Sequence, residues 1–206
     1  MTYPQAPWQL KGYGFLSLHW VDIDRVRHAI PNHLQIFSFL PGKTLGGVYV
    51  GAYGDGSTLR YSELIGVPAL IHYQGKIGAW ISHIYVDNPD SRAGGRAIWG
   101  LPKEMAEFDW ETPSSVTVQQ GDRPLCQLKS HWNLAGLEHP IQVPAFSLLN
   151  SQLVQFSGQG DLKWHWAGID VKIPPESPIA DLGLGQPWAT IRLSSLNLSV
   201  PAPSIA

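Results

Sequence analysis

IYVDNPDSRAGGRAIWGLPKEMAEF, residues 84–108, is the stretch around which the chain is organised. It opens with β-branched and aromatic residues that favour a strand, and Asp87-Asn88-Pro89 then stops that strand. Asp87 or Asn88 is placed to cap a short helix, because either side chain can accept a hydrogen bond from a free backbone amide. Pro89 suits the first helical position. The stretch therefore predicts a strand, a cap and a short helix in immediate succession.

A single lysine, Lys103, follows the rigid turn Gly100-Leu101-Pro102 in this stretch. An unperturbed lysine is only about 0.04% neutral at pH 7, so making it a free nucleophile costs about 4–5 kcal/mol. Burial or a second cation can remove that cost. The neighbours of Lys103 include few cations and several large apolar residues, which would favour the neutral amine. Local sequence alone also fits an ordinary surface lysine beside a turn, and it favours this interpretation over a functional amine.

Length and composition favour one mainly β domain over residues 1–206. The chain has 15% charged residues, 21 Gly, 17 Pro and 9 Trp. Gly and Pro punctuate a chain, and aromatic residues suit pleated surfaces, so short strands and turns are expected rather than long helices. Sheets of this many strands usually curl. We therefore expect an antiparallel sheet curled into a closed or partly open barrel, with two or three short helices.

Several functional classes lack support in the sequence. The net charge of −2 and the lack of a basic run argue against nucleic-acid binding. Eight histidines show no metal-ligand spacing, and G-x-S-x-G, P-loop and dinucleotide-binding motifs are missing. No apolar run reaches the ~18 residues needed to span a membrane. The only cysteine, Cys126, suggests a reducing compartment and a small buried hydrophobe. A cytoplasmic protein without metal or cofactor is expected.

The order of elements follows from apolar alternation and turn residues. The N-terminal arm, residues 1–12, is expected to be extended, and the tail, residues 201–206, to be frayed. Gly46-Gly47 suggests a bulge or a close backbone approach, and Asp55-Gly56 indicates a hairpin. Residues 133–160 are expected to form loops with one or two strands. Other predicted strands are 13–21, 34–40, 44–53, 59–67, 69–73, 76–86, 105–110, 115–120, 125–132, 162–173 and 189–200, with a helix over 22–31.

Three motifs in the central stretch resemble the acetoacetate decarboxylase superfamily: Tyr85-Val86-Asp87-Asn88, Gly95-Arg96 and Gly100-Leu101-Pro102-Lys103. The resemblance extends to Tyr61-Ser62-Glu63 and covers residues 6–110. It implies a barrel, a homo-oligomer and a Schiff base between Lys103 and an oxo acid, with Glu63 as the second catalytic residue. Glu104 stands where the decarboxylases have a second lysine, so acetoacetate itself is not the expected substrate.

Ala6-Pro7-Trp8, Lys11-Gly12 and Thr44-Leu45-Gly46-Gly47 also resemble a plant branch of the superfamily, the neoxanthin-deficiency proteins. This resemblance leaves a second hypothesis open. The chain could be a non-catalytic barrel that binds an apolar ligand such as an isoprenoid or carotenoid-related compound.

Candidate site residues follow from both lines of reasoning. Alternation places Tyr61 and Glu63 on one face of a strand. Glu63 would either carry protons for Lys103 or form a structural ion pair with an arginine. Arg96 would either hold a substrate carboxylate in a bidentate pair or be solvated or bound to a carbonyl. Glu104 would lie beside the amine or on the opposite face. The predicted substrate-binding residues are Arg96, Tyr61, Glu104, Tyr49, His83 and Trp99.

Overall fold

The computed structural model describes residues 3–206 and shows a mainly β protein. Fifteen strands are connected in one sheet over this range. Two short α-helices, α1 (Ile23–Val26) and α2 (Pro89–Trp99), and two 3₁₀ turns (Arg27–Ala29 and Pro178–Leu182) interrupt them. No helix within residues 3–206 is both long enough and apolar enough to cross a membrane.

The strands vary greatly in length, from two residues to twenty-one. The bounds are β1 Trp8–Asp22, β2 Gln35–Ile36, β3 Lys43–Tyr53, β4 Tyr61–Val67, β5 Ala69–Tyr73, β6 Lys76–Trp80, β7 His83–Val86, β8 Lys103–Met105, β9 Glu107–Thr112, β10 Ser115–Gln120, β11 Arg123–Asn133, β12 Leu137–Leu149, β13 Gln152–Lys172, β14 Ala189–Val200 and β15 Ser204–Ile205.

The main path through the sheet is β2-β5-β6-β12-β13-β14-β1-β3-β4-β7-β8, and the ribbon β9-β10-β11 joins it at β13. Most pairs are antiparallel, whereas β6/β12 and β7/β8 are parallel. The path ends at β2 and at β8 without closing. The expectation of a mainly β, partly open structure is therefore confirmed, and the closed alternative is not adopted.

The two faces of the sheet bury different side chains. Phe15, Val50, Leu64 and Tyr85 belong to the larger core, which also takes in α1 and the β10/β11 hairpin. The other face carries a smaller cluster that includes Tyr53, Tyr61, Val86, Leu193 and Leu196. Side chains of directly paired residues share a face. Glu63 pairs with Val86, and Ile84 pairs with Lys103, so Glu63 and Lys103 lie on the second face.

The largest difference from the sequence-based prediction lies in residues 133–160. In place of loops with one or two strands, β12 and β13 form a long antiparallel hairpin. Asn150 and Ser151 make its turn with positive φ values of 50° and 65°. Pro140 and Pro144 concealed the strand in the sequence. They are tolerated because β12 pairs with β6 only at Ala145 and Phe146, which leaves much of its other edge free.

Both ends of the chain join the sheet, which agrees with the predicted extended N-terminal arm but not with a frayed tail. The N-terminal arm joins β1 from Trp8 onward, while residues 1 and 2 of that arm lie outside the described residues. The tail that was expected to fray contains β15, which pairs with Val154 and Gln155. Gly47 shows the predicted close backbone approach, since a Cβ there would lie 2.6 Å from the carbonyl oxygen of Ser17.

Candidate active site

Local sequence signals place Lys103 at the start of β8. The Asn88 side chain caps α2 by accepting hydrogen bonds from the amides of Asp90 and Ser91, and Pro89 occupies the first turn. Gly100 ends the helix in the left-handed conformation (φ 64°), which glycine adopts without steric cost. The chain then turns through Leu101-Pro102, and Lys103 enters the sheet beside Ile84.

Lys103 and Glu63 form a buried ion pair. The Nζ atom of Lys103 lies 2.8 Å from Oε2 of Glu63. Lys103 is 2% exposed and Glu63 is 5% exposed. A buried charge is tolerated only when it is paired and hydrogen-bonded. Of the two alternatives for Glu63, the structure therefore shows an ion pair with Lys103 and not with an arginine. Arg60, for example, pairs with Asp55.

Three further side chains surround the Lys103 ammonium. It donates a hydrogen bond to Oγ of Ser91 (3.1 Å) from the first turn of α2. Its Nζ lies 4.9 Å from the ring centroid of Tyr61 and 5.8 Å from that of Trp8, both within cation–π range. A carboxylate, a hydroxyl and two aromatic rings therefore enclose the amine.

Gly95 makes room for the lysine side chain. A Cβ at this position would lie 2.5 Å from Cδ of Lys103 and 2.7 Å from its Cε. The neighbouring Gly94 gives similar room to the indole of Trp8, since a Cβ there would lie 2.6 Å from the nearest ring carbon. The two glycines of α2 thus let the lysine stem and the covering indole pack directly against the helix backbone.

A chain of tyrosine hydroxyls continues from Glu63. Tyr53 donates to Oε1 of Glu63 (3.2 Å), and the hydroxyls of Tyr49 and Tyr53 are 3.1 Å apart. Burial, above all other causes, raises the pKa of Tyr49, Tyr53 and Tyr61, and the Glu63 carboxylate adds to each shift. All three phenols are therefore held in the neutral, proton-bearing form next to the carboxylate.

Arg96 and Glu104 do not contact the amine. Arg96 is exposed, and its Nε donates to the backbone carbonyl of Lys103 at 2.6 Å, which matches the carbonyl-binding alternative. Glu104 is exposed on the opposite face of β8, where its side chain accepts a hydrogen bond from Gln120. Because neighbours in a strand point in opposite directions, the Glu104 carboxylate is kept away from Lys103.

His83 and Trp99 also lie apart from the Lys103 amine. His83 hydrogen-bonds Ser82 (2.8 Å), and burial lowers the pKa of its imidazole. It lines a separate cavity of about 460 Å³ together with Trp80 and Pro102. Trp99 packs edge-on behind Trp8, with ring centroids 4.9 Å apart. A part for these residues in substrate binding stays a prediction.

Sequence reasoning missed Trp8, Ser91 and Tyr53 as members of the site. Ser91 could have been predicted, because it lies in the first turn of the capped helix that precedes Lys103. The pattern Tyr49-Gly51-Tyr53 also carries a signal, since alternation puts all three on the Glu63 face. The position of Trp8 over the amine has no local signal in the sequence.

No group of three or more His, Cys, Asp or Glu side chains within residues 3–206 is arranged to hold a metal ion. The groups gathered around Lys103 are a buried amine, a carboxylate and neutral hydroxyls.

The sequence is similar to two groups of known proteins. The acetoacetate decarboxylase (ADC) family model matches residues 2–148. The protein NEOXANTHIN-DEFICIENT 1 of Solanum lycopersicum is 27% identical over 183 residues, which are 84% of this chain and 61% of that protein. An acetoacetate decarboxylase of Burkholderia mallei is 27% identical over 120 residues, 54% of this chain and 44% of that enzyme. The chain spans about three fifths or less of the length of these relatives.

Solved structures share the fold at low sequence identity. Acetoacetate decarboxylase from Legionella pneumophila superposes with a TM-score of 0.80 at 17% identity, covering 100% of this chain and 89% of that one. The enduracididine biosynthesis enzyme MppR, solved with pyruvate, gives a TM-score of 0.72 at 13% identity, with 99% and 91% covered. The family match extends over most of the chain and includes both Lys103 and Glu63. The chain belongs to the acetoacetate decarboxylase family.

Proposed function

We propose that this chain is a cofactor-free Schiff-base enzyme that acts on an oxo acid or a related small carbonyl compound. The observation that carries the proposal is the buried contact between Lys103 Nζ and Glu63 Oε2 at 2.8 Å. It provides a nucleophile and a proton carrier in direct contact, in surroundings that exclude water.

The first steps use this contact. Glu63 takes a proton from the Lys103 ammonium along their hydrogen bond, and the neutral amine attacks the substrate carbonyl carbon. The carbinolamine that forms loses water to give an iminium on Nζ. Because the iminium nitrogen accepts electrons, a carboxylate β to it can leave as CO₂, which yields an enamine. The departing hydroxyl of the carbinolamine takes the proton held by Glu63, so the carboxylate picks up a second proton from water and delivers it to the enamine carbon. Hydrolysis of the resulting iminium then releases the product and restores the Lys103 ammonium.

Neighbouring groups support these roles. Tyr53 donates to the other oxygen of Glu63, so the carboxylate keeps one partner while Oε2 exchanges protons. Ser91 holds the amine from the helix side. Since Lys103 is 2% exposed, a substrate must displace a covering side chain, and the Trp8 indole is the aromatic cover contributed by the N-terminal segment. The related fold of MppR, solved with pyruvate, fits a 2-oxo acid as one substrate class to test.

Borohydride trapping tests the proposal. The protein is incubated with pyruvate, 2-oxobutyrate or acetoacetate, reduced, and examined by intact mass and peptide mapping. We expect a reduced adduct on Lys103 that is lost in Lys103→Met. Lys43→Met is the matched control, because Lys43 also pairs with a carboxylate, at 2.7 Å, but at the surface. Labelling that is absent with every acid, or equal in Lys103→Met, would overturn the proposal.

A second candidate function is binding of an apolar ligand without turnover. The exposed side chains of Trp188 and Phe39 favour it, because both lie close to the half-buried Trp20, at 5.4 Å and 6.0 Å between ring centroids. The similarity to tomato NEOXANTHIN-DEFICIENT 1 points the same way. Quenching of tryptophan fluorescence by a C40 carotenoid, unchanged in Lys103→Met and reduced in Trp188→Ala, would support this candidate.

The expected homo-oligomer and the cytoplasmic location also remain proposals. Light scattering on the purified chain would give its mass in solution, and a mass equal to the 22.7 kDa monomer would contradict the oligomer.

A further inference from the structure

Strand β14 carries a bulge at Ser194. Against β13, Lys163 pairs with Ser195 and Trp164 with Leu193, so Ser194 has no residue opposite it. The register with β1 shifts at the same place, between Gly12 and Gly14. A bulge re-aims the side chain of its extra residue, and bulges are frequent beside active sites. This bulge aims the Ser194 hydroxyl at a histidine.

The histidine is His165, which is 9% exposed. Its Nε2 lies 2.7 Å from Oγ of Ser194, and its Nδ1 lies 2.9 Å from the backbone carbonyl of Leu134. A carbonyl oxygen can only accept a hydrogen bond, so in the neutral imidazole Nδ1 carries the proton. The lone pair then resides on Nε2 and accepts the hydroxyl hydrogen of Ser194. This tautomer is the one that a general base for serine requires.

The imidazole is also fixed in place. Its ring lies against Gly136, where any Cβ would collide with it. Ser194, in contrast, is exposed. The serine is thus open to a substrate, while the base behind it is held by the backbone on two sides.

Ser194 lines a groove of about 470 Å³ between β1, β3 and β14. This volume lies within the range of small-molecule sites, roughly 300–1,000 Å³. The groove holds two charged side chains, Lys11 and Asp55. Asp55 is paired with Arg60, whereas Lys11 has no carboxylate within ion-pair distance in residues 3–206. The groove therefore contains a serine hydroxyl and, among its charged side chains, one cation without an ion-pair partner among the described residues.

We propose that Ser194 and His165 form a second catalytic site, an acyl-transfer site for small carboxylic esters, with Lys11 favouring esters that carry an anionic group. Ser194 Oγ attacks the ester carbonyl carbon while His165 Nε2 takes the hydroxyl proton. The tetrahedral species collapses, the ester C–O bond breaks, and the leaving alkoxide receives that proton. Water, activated by the same nitrogen, then attacks the acyl-serine and releases the acid.

Lys103 does not line this groove, although Tyr53, which donates to Glu63, does. Neither Ser194 nor His165 belongs to a recognised hydrolase motif in the sequence. The two residues are 29 positions apart on adjacent strands, and only the bulge brings them together.

A fluorophosphonate probe tests the proposal on the full chain, read by intact mass and peptide mapping. We expect one adduct, on Ser194, lost in Ser194→Ala. Ser199→Ala is the matched control: it lies on the same strand, but its hydroxyl accepts from Gln9 rather than from a histidine. His165→Gln should slow labelling by about 100-fold or more, the typical effect of a general base. Hydrolysis of 4-nitrophenyl butyrate should fall in parallel.

Two readouts keep the test decisive if His165→Gln does not fold. In the wild-type chain, labelling should be slower in acidic buffer, because a protonated Nε2 cannot take the hydroxyl proton of Ser194. Lys11→Met should slow hydrolysis of the anionic ester mono-(4-nitrophenyl) glutarate more than that of 4-nitrophenyl butyrate. Absence of an adduct on Ser194, or equal ester hydrolysis by Ser194→Ala and Ser199→Ala, would overturn the proposal.

Discussion

Two lysine–carboxylate pairs of nearly equal length occupy opposite environments. Lys103 and Glu63 lie 2.8 Å apart with side chains 3% and 7% exposed, and Lys43 and Asp22 lie 2.7 Å apart with side chains 39% and 61% exposed. Water and salt weaken the surface pair, whose net contribution is about 0–1 kcal/mol. The buried pair has lost its hydration, and its stability depends on both partners remaining in place.

The comparison shows that the distance between two charges does not by itself indicate whether an ion pair contributes to stability or to function. The buried pair is weak evidence for stability, because desolvation offsets much of the attraction. The Lys103–Glu63 pair nevertheless lies in a buried environment where desolvation of both charges is unfavourable, and Ser91, Tyr53 and Tyr61 surround it. Such an arrangement is typical of a functional site, where protonation and charge are controlled by the surroundings.

The largest expected effect is the loss of one buried partner. Glu63→Leu should lower the free energy of unfolding by about 3–5 kcal/mol, because the Lys103 ammonium is left buried without a carboxylate. Urea denaturation measures this loss. The double variant Glu63→Leu/Lys103→Met removes both charges and should recover most of the stability. A double variant as unstable as the single one would contradict the account of the buried pair.

Alkaline pH should weaken the tyrosine cluster beside the buried pair. The pKa values of Tyr49, Tyr53 and Tyr61 are raised on folding, so the folded chain holds these protons more tightly than the unfolded chain. Their contribution to stability is complete below the unfolded pKa near ~10 and declines above it, by about 1.4 kcal/mol per group for each pH unit. Urea midpoints at pH 9, 10 and 11 measure the decline.

Tyr49→Phe is the control for the alkaline effect, because it removes one titrating hydroxyl at the outer end of the chain of hydroxyls. Its stability should fall less steeply above pH 10 than that of the wild type. Equal slopes for the two proteins would show that other groups cause the alkaline loss.

A smaller effect is expected from crowding the lysine stem. Gly95→Ala places a methyl group against Cδ and Cε of Lys103 and should cost about 1–3 kcal/mol, as overpacking commonly does. It should also reduce trapping at Lys103, because the amine is displaced. Ala97→Gly, at an exposed position of the same helix, controls for helix propensity. Unchanged trapping and stability in Gly95→Ala would show that the pocket adapts freely.

The smallest effect concerns the surface pair. Asp22→Asn should change the free energy of unfolding by less than about 1 kcal/mol, and the change should shrink further in 1 M NaCl because salt screens exposed charges. Paired urea titrations at low and high salt measure it. A loss as large as that of Glu63→Leu would remove the contrast between the two pairs.

The local part of the site could be predicted from sequence because short-range rules govern it. Asn88, Pro89 and Gly100 act through hydrogen bonds and backbone angles within a few residues, and they set the ends of α2. Strand alternation places Glu63 on a definite face. These rules placed Lys103 directly after a rigid turn and Glu63 on a definite strand face, and the resemblance to the decarboxylases then suggested that the two act together.

The rest depends on long-range pairing that no local pattern records. Trp8 of β1 lies over Lys103 because its indole packs against Gly94 of α2, a contact between segments that are far apart in sequence. The β12/β13 hairpin was concealed by prolines that a free edge tolerates. Ser194 meets His165 only through a bulge defined by registers with two other strands. These three features depend on tertiary contacts, which cannot be predicted from the local pattern of a single sequence.

The pairing of β1 with β14 sets an order of assembly. Trp8 lies opposite Val200, and Trp99 behind it donates to the carbonyl of Pro201 at 2.8 Å. The wall over the Lys103 amine therefore closes only after the last strands have been synthesised. Contacts so distant in sequence form slowly. During translation one edge of β1 therefore stays unpaired until β14 has been made, and Lys103 of the nascent chain lacks the cover that Trp8 provides in the folded protein.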